Sequence, residues 1–133
     1  MRTLLALLML RLLIPLTDAK ADERLQFNRD IRPILSDNCF FCHGPDKNTR
    51  KADLRLDVRE DALAQKAFVP GQPEKSDLIE RILSGDAEQL MPPPNSNKQL
   101  TVRQKELLKR WIAEGAEYQP HWAFVPPVKV EPP

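Results

Sequence analysis

Cys39-Phe40-Phe41-Cys42-His43 is the stretch on which the reading of this chain turns. It holds both cysteines of the 133 residues, three positions apart, with one of the two histidines directly after the second. That spacing is the attachment signature of a c-type haem. Two thiols on adjacent turns reach the vinyl groups on one edge of a porphyrin and form thioethers, and the imidazole that follows is then placed under the iron as proximal ligand. Other uses of two cysteines fit less well. A thioredoxin-like redox pair belongs in a βαβ context, which is missing from this pattern, and a structural zinc site needs four ligands where only His121 could join these three. A plain disulfide leaves the adjoining histidine without a purpose.

Outward from the motif, the chain reads as short helices joined by long turns. Asp30 offers an N-cap, and Ile31, Ile34 and Leu35 fall at helical spacing, with Pro33 early enough to be harmless, so a helix over 31–38 leads into Cys39. A brief extended segment follows at Leu54-Arg55-Leu56. Asp57 and Glu60 resemble a capping box for a short helix carrying Val58, Ala62 and Leu63, which must end before Val69-Pro70-Gly71. Ser76 can cap a third helix with an apolar stripe of Leu78, Ile79, Ile82 and Leu83 and Gly85 as its left-handed stop. The last helix, about 102–114, has Thr101 and Gln104 as capping box, Leu107, Leu108, Trp111 and Ile112 on one face, and Gly115 as stop. The expected fold class is all-α, with the 31–38 and 102–114 helices packed together.

Haem iron needs a sixth ligand to be a closed site. Of the three methionines, Met1 and Met9 lie in the apolar leader, which leaves Met91 between the third and last helices as the candidate distal ligand. Pro92, Pro93 and Pro94 after it predict an extended, low-entropy loop. His121 is the rival ligand. Phe40, Phe41, Leu54, Leu56, Leu90 and Trp111 are candidates to wall the porphyrin. The basic residues Lys47, Arg50, Lys51 and Arg55 read as a solvated loop, with pairing to haem propionates as the alternative.

The totals bound the partners. Apolar content of 41% suits one globular domain, while 6% aromatics and 13 prolines make its core lean. Arg2 precedes an apolar stretch from Leu4 to Leu16 that ends in Ala19-Lys20-Ala21, so residues 1–21 read as an export signal, too short and too interrupted by Arg11 for a stable membrane span. Its removal takes three basic residues and one acidic residue from a chain of net charge +1, leaving it nearly neutral. Such a balance gives no footprint for nucleic acid or for an anionic membrane surface.

Together these residues resemble the planctomycete-type cytochrome c domain found near the N-terminus of large exported multidomain proteins. The resemblance rests on Ile31-Arg32-Pro33-Ile34-Leu35 ahead of Cys39-Phe40-Phe41-Cys42-His43-Gly44, on Leu54-Arg55-Leu56-Asp57, on Val69-Pro70-Gly71, on Met91-Pro92-Pro93, and on Trp111-Ile112 with Gly115-Ala116. It implies a small helical domain wrapped around one covalently bound haem c, with long Pro-rich loops, over residues 22–118. By the same resemblance Cys39 and Cys42 are attachment residues, His43 is the proximal ligand and Met91 the distal one. His121-Trp122-Ala123-Phe124 looks like the junction to downstream domains, within a Pro-rich linker over 119–133.

The expectation is therefore a periplasmic or otherwise exported monohaem cytochrome that transfers single electrons to a redox partner protein or a downstream domain, and is not an enzyme in its own right. The alternatives are a five-coordinate, peroxidase-like haem enzyme or sensor, and a haem-free interaction module with Cys39 and Cys42 as a disulfide.

Overall fold

The computed structural model describes residues 24–120 together with 123 and 127. The leader over 1–21, His121 and most of the 119–133 linker lie outside the described residues. Among the described residues there are helices and turns and no strand, as an all-α reading requires. None of those helices is long and apolar enough to cross a membrane.

The chain enters through a π-helical turn, Phe27–Ile31, that runs straight into α1, Arg32–Asn38. Pro33 sits in the first turn of α1, where its missing N–H is one the helix would leave unpaired anyway. Asp30 is not the N-cap of α1: its carboxylate turns back to accept from the Gln26 N–H at 2.8 Å and from Arg29. After Cys39 comes α2, Phe40–His43, one turn long. The third helix, α3, is Arg59–Ala64. Its anticipated capping box does not form, because the Asp57 carboxylate is taken by the Arg55 guanidinium and Val58 stands at the N-cap with no side-chain bond.

The fourth helix, α4, is Asp77–Leu83. Ser76 precedes it as expected, yet its hydroxyl donates to the Gln72 carbonyl and accepts from the Val69 N–H, each at 2.9 Å. It pins the loop rather than the helix end. Two further expectations fail here. Leu83 is 56% exposed, outside the buried stripe of Leu78, Ile79 and Ile82, and Gly85 is not among the residues with positive φ. The helix instead closes on Ser84, and Met91 donates its N–H to the Arg81 carbonyl.

The fifth helix, α5, is Val102–Ala113, with the Thr101–Gln104 capping box formed in both directions. Gly115, at φ 106, supplies the left-handed residue after it. Leu108, Trp111 and Ile112 are buried. Helix α5 packs on α4, on the Phe27–Ile31 turn and on the 3₁₀ turn Pro73–Lys75, whereas the sequence pattern pairs it with α1. The reason is the aromatic cluster that Trp111 joins. Phe27 stacks on Tyr118 with ring centroids 4.0 Å apart, and Trp111 lies 5.7 Å from Phe27 and 5.1 Å from Phe68. Tyr118 donates its hydroxyl to the Leu56 carbonyl at 2.7 Å, and the Trp111 indole N–H donates to the Glu117 carbonyl. The segment after α5 is thereby folded back onto the body, and Asn28 holds it as far as Gln119 and Pro120.

Candidate functional site

A helical turn brings residues at i, i+3 and i+4 to one face. In the motif the Cys42 and His43 N–H groups both donate to the Cys39 carbonyl, so Cys39, Cys42 and His43 share such a face. Phe40 packs against the core and Phe41 is 74% exposed. The turn is then tied to the next loop by two backbone bonds, Lys51 N–H to the Cys42 carbonyl at 2.7 Å and Leu56 N–H to the His43 carbonyl at 2.8 Å. Gly44 is buried against it. A Cβ there would stand 2.2 Å from the Phe40 carbonyl oxygen, so only glycine fits.

These three side chains line a cavity of about 730 Å³, within the roughly 300–1,000 Å³ usual for cofactor and ligand sites. Met91 lines the same cavity, although it is 48 positions further along the chain than His43. Its place is set by the bond to the Arg81 carbonyl, and by Leu90 N–H and Gln89 N–H on the Asp86 carbonyl before it. The prolines after it do not form one extended run: Pro93 is extended, but Pro94 opens a 3₁₀ turn, Pro94–Ser96.

Of the residues anticipated as porphyrin walls, Phe41, Leu54 and Leu56 do line the cavity. Phe40, Leu90 and Trp111 do not, and Trp111 belongs to the aromatic cluster. Leu78 and Ile82 of α4, with Ala67, supply apolar wall that the sequence pattern did not assign to the site. Their helical spacing marked them as buried without saying on which side. Of the four basic residues in the 47–55 loop only Lys51 reaches the cavity. Arg55 pairs with Asp57 and Arg50 with Asp53, while Lys47 and Arg50 line a separate surface hollow. Arg81 and Lys98, missed in the sequence, are the other cations on the cavity wall.

Burial holds the His43 pKa below the usual imidazole value, the Lys51 backbone opposing and the Arg81 charge reinforcing this. The ring is therefore neutral at neutral pH, the form that donates a lone pair to a metal. Its Nδ1 is buried without a hydrogen-bond partner, an uncommon cost unless another group completes it. Both cysteines are free, and burial, reinforced by Cys42, pushes the Cys39 thiol up to about 12. No three or more His, Cys, Asp or Glu side chains among the described residues are arranged to hold a metal ion by themselves. Two free thiols, a neutral imidazole with an orphaned nitrogen and a thioether around one largely apolar cavity do fit a covalently attached haem.

Comparison with known proteins agrees with this chemistry. Residues 39–95, from the first cysteine to just past the Met-Pro-Pro segment, match the family described as Planctomycete cytochrome C. Searches of curated proteins and of solved structures gave no match. A cytochrome c-type family implies haem, and fits electron transfer rather than catalysis. The segment that matches is also the one whose ends supply the four cavity side chains, and over those residues the chain is similar to the planctomycete-type cytochrome c family.

Proposed function

We propose that the protein is an exported monohaem c-type cytochrome that passes single electrons through a haem attached at Cys39 and Cys42 and ligated by His43 and Met91. The observation that carries this reading is the meeting of all four side chains on one cavity, three from the Cys39–His43 motif and the fourth from the distant Met91 loop. Haem c, when bound, supplies a reversible one-electron change at its iron.

The chain's own residues set the terms of that change. Cys39 and Cys42, one helical turn apart, hold the cofactor at a fixed edge. His43 offers a neutral imidazole, fastened from behind by the Leu56 N–H on its carbonyl. Met91 offers a thioether, which favours the ferrous state and raises the reduction potential. Because its backbone is bonded to α4, it need not be ordered anew at each turnover. Leu54, Leu56, Leu78 and Ile82 keep water from the centre, which lowers the reorganisation that electron transfer must drive. With His43 and Met91 both holding the iron, the site would leave no free position for a small substrate. The leader over 1–21 would carry the chain to an oxidising compartment, where a redox protein or a downstream domain is the electron partner.

The test is a variant series in the haem-loaded protein. Cys39→Ser and Cys42→Ser should each leave a single thioether and shift the reduced absorption bands to longer wavelength, and His43→Ala should abolish low-spin iron. Unchanged spectra in all three would refute the assignment.

A further inference from the structure

Haem brings two propionate carboxylates to a cavity whose walls are mainly apolar, and a carboxylate in such surroundings needs a cation. The cations on the wall are Lys51, Arg81 and Lys98. Lys51 precedes Ala52 and Asp53, both at positive φ, in an exposed loop, and Lys98 follows the left-handed Asn97 in another. Only Arg81 stands on a helix, where its backbone is fixed.

Its side chain is also prepared. One guanidinium nitrogen donates to the Gln89 amide oxygen at 3.1 Å, leaving the remaining N–H groups for a second acceptor. Asp77, four residues earlier on α4, lines the same cavity, yet among the described residues Arg81 forms no ion pair with it or with any other acid. Meanwhile the Arg81 carbonyl accepts the Met91 N–H. One residue therefore reaches the Met91 loop through its backbone and the cavity through its side chain.

We propose that Arg81 is the carboxylate anchor of this cavity, its guanidinium receiving a propionate of the macrocycle while its charge raises the reduction potential, an assignment that rests on the haem reading above. The planar guanidinium can meet a carboxylate with two parallel N–H bonds, which an ammonium cannot. A positive charge at the cofactor's edge would disfavour the extra charge of ferric iron and so hold the potential up. Arg81 is in this sense a positioning residue, acting on the iron through the cofactor's edge.

The experiment compares the haem-loaded full chain with Arg81→Gln, Arg81→Lys and Gln89→Ala. The readouts are the reduction potential, the propionate bending band in the resonance Raman spectrum, and the near-infrared methionine-to-ferric band. Arg81→Gln should lower the potential and shift the propionate band while the methionine band persists. Arg81→Lys should keep most of the potential but still shift the propionate band, and Gln89→Ala should move neither much. An unmoved potential and propionate band in Arg81→Gln would overturn the assignment. So would a fall in potential accompanied by loss of the methionine band and reproduced by Gln89→Ala, since Arg81 would then act through the Met91 loop alone. A wild-type chain without haem bands would instead overturn the underlying cytochrome reading.

Discussion

At the scale of single residues, the site depends on a few atoms with no room to change. Gly44 is the sharpest case. Any side chain there must move the Phe40 carbonyl within the motif helix, so Gly44→Ala should destabilise the loaded protein by about 1–3 kcal/mol, as overpacking does. Chemical denaturation against wild type measures it, and a smaller loss would mean that the turn adjusts freely. Met91→Ala removes the thioether. It should abolish the near-infrared methionine band and let reduced iron bind carbon monoxide, which the wild type should refuse. The four proposed donors can be picked out in the sequence because three fall within five consecutive positions and the fourth is the one methionine beyond the leader. Arg81 was not, since nothing in Ile79-Glu80-Arg81-Ile82 says that this arginine borders the cavity while Glu80 does not. Trp111 was misplaced for a related reason: helical spacing identifies a buried face, but two buried regions, cavity and aromatic cluster, compete for it.

At the scale of elements, the long, well-capped helix was the easiest to read and the short ones the least reliable. The Thr101–Gln104 box and Gly115 bracket α5 as their chemistry requires. Thr101→Ala should cost about 1 kcal/mol in thermal or denaturant unfolding without altering the haem spectrum. At α3 and α4 the predicted capping side chains found other partners, Arg55 for Asp57 and the Val69–Gln72 loop for Ser76. Competition of that kind depends on tertiary placement. Tyr118 links two elements in a way that no local pattern announces. Burial raises its phenol pKa above the ordinary value of 10.0, so its protonated form is favoured by folding. Its contribution is complete below about pH 10, the unfolded value, and declines as pH rises beyond it. Tyr118→Phe should lose about 0.5–1.5 kcal/mol at neutral pH with the bond to the Leu56 carbonyl, and should show a flatter alkaline fall in stability than wild type. An identical alkaline slope would contradict this.

At the scale of the whole molecule, the body divides its apolar residues between two tasks. The aromatic cluster of Phe27, Phe68, Trp111 and Tyr118 joins the entry turn, the loop after α3, α5 and the returning C-terminal segment. α4 sits between this cluster and the site, burying Ile79 and turning Leu78 and Ile82 to the cavity. Phe68 is 1% exposed, so Phe68→Ala should destabilise the protein by about 3–5 kcal/mol. Its reduced absorption bands should stay in place, because Phe68 does not line the cavity. The all-α class and the order of the longer helices could be read from apolar periodicity, and for α5 from its cap as well. Which helices touch could not, because the seating of α5 on the entry turn follows from aromatic packing of Trp111 against Phe27, Phe68 and Tyr118, residues far apart in the chain.

The central claim is that haem is covalently attached and ligated by His43 and Met91. Its most direct test is the absorption spectrum, oxidised and reduced, of the full chain expressed in cells able to attach haem, taken again after extraction with acidified organic solvent. The account predicts sharp reduced bands, the weak methionine-to-ferric band in the near infrared, and haem that stays with the protein on extraction. A colourless chain, or haem that extracts freely, would contradict it.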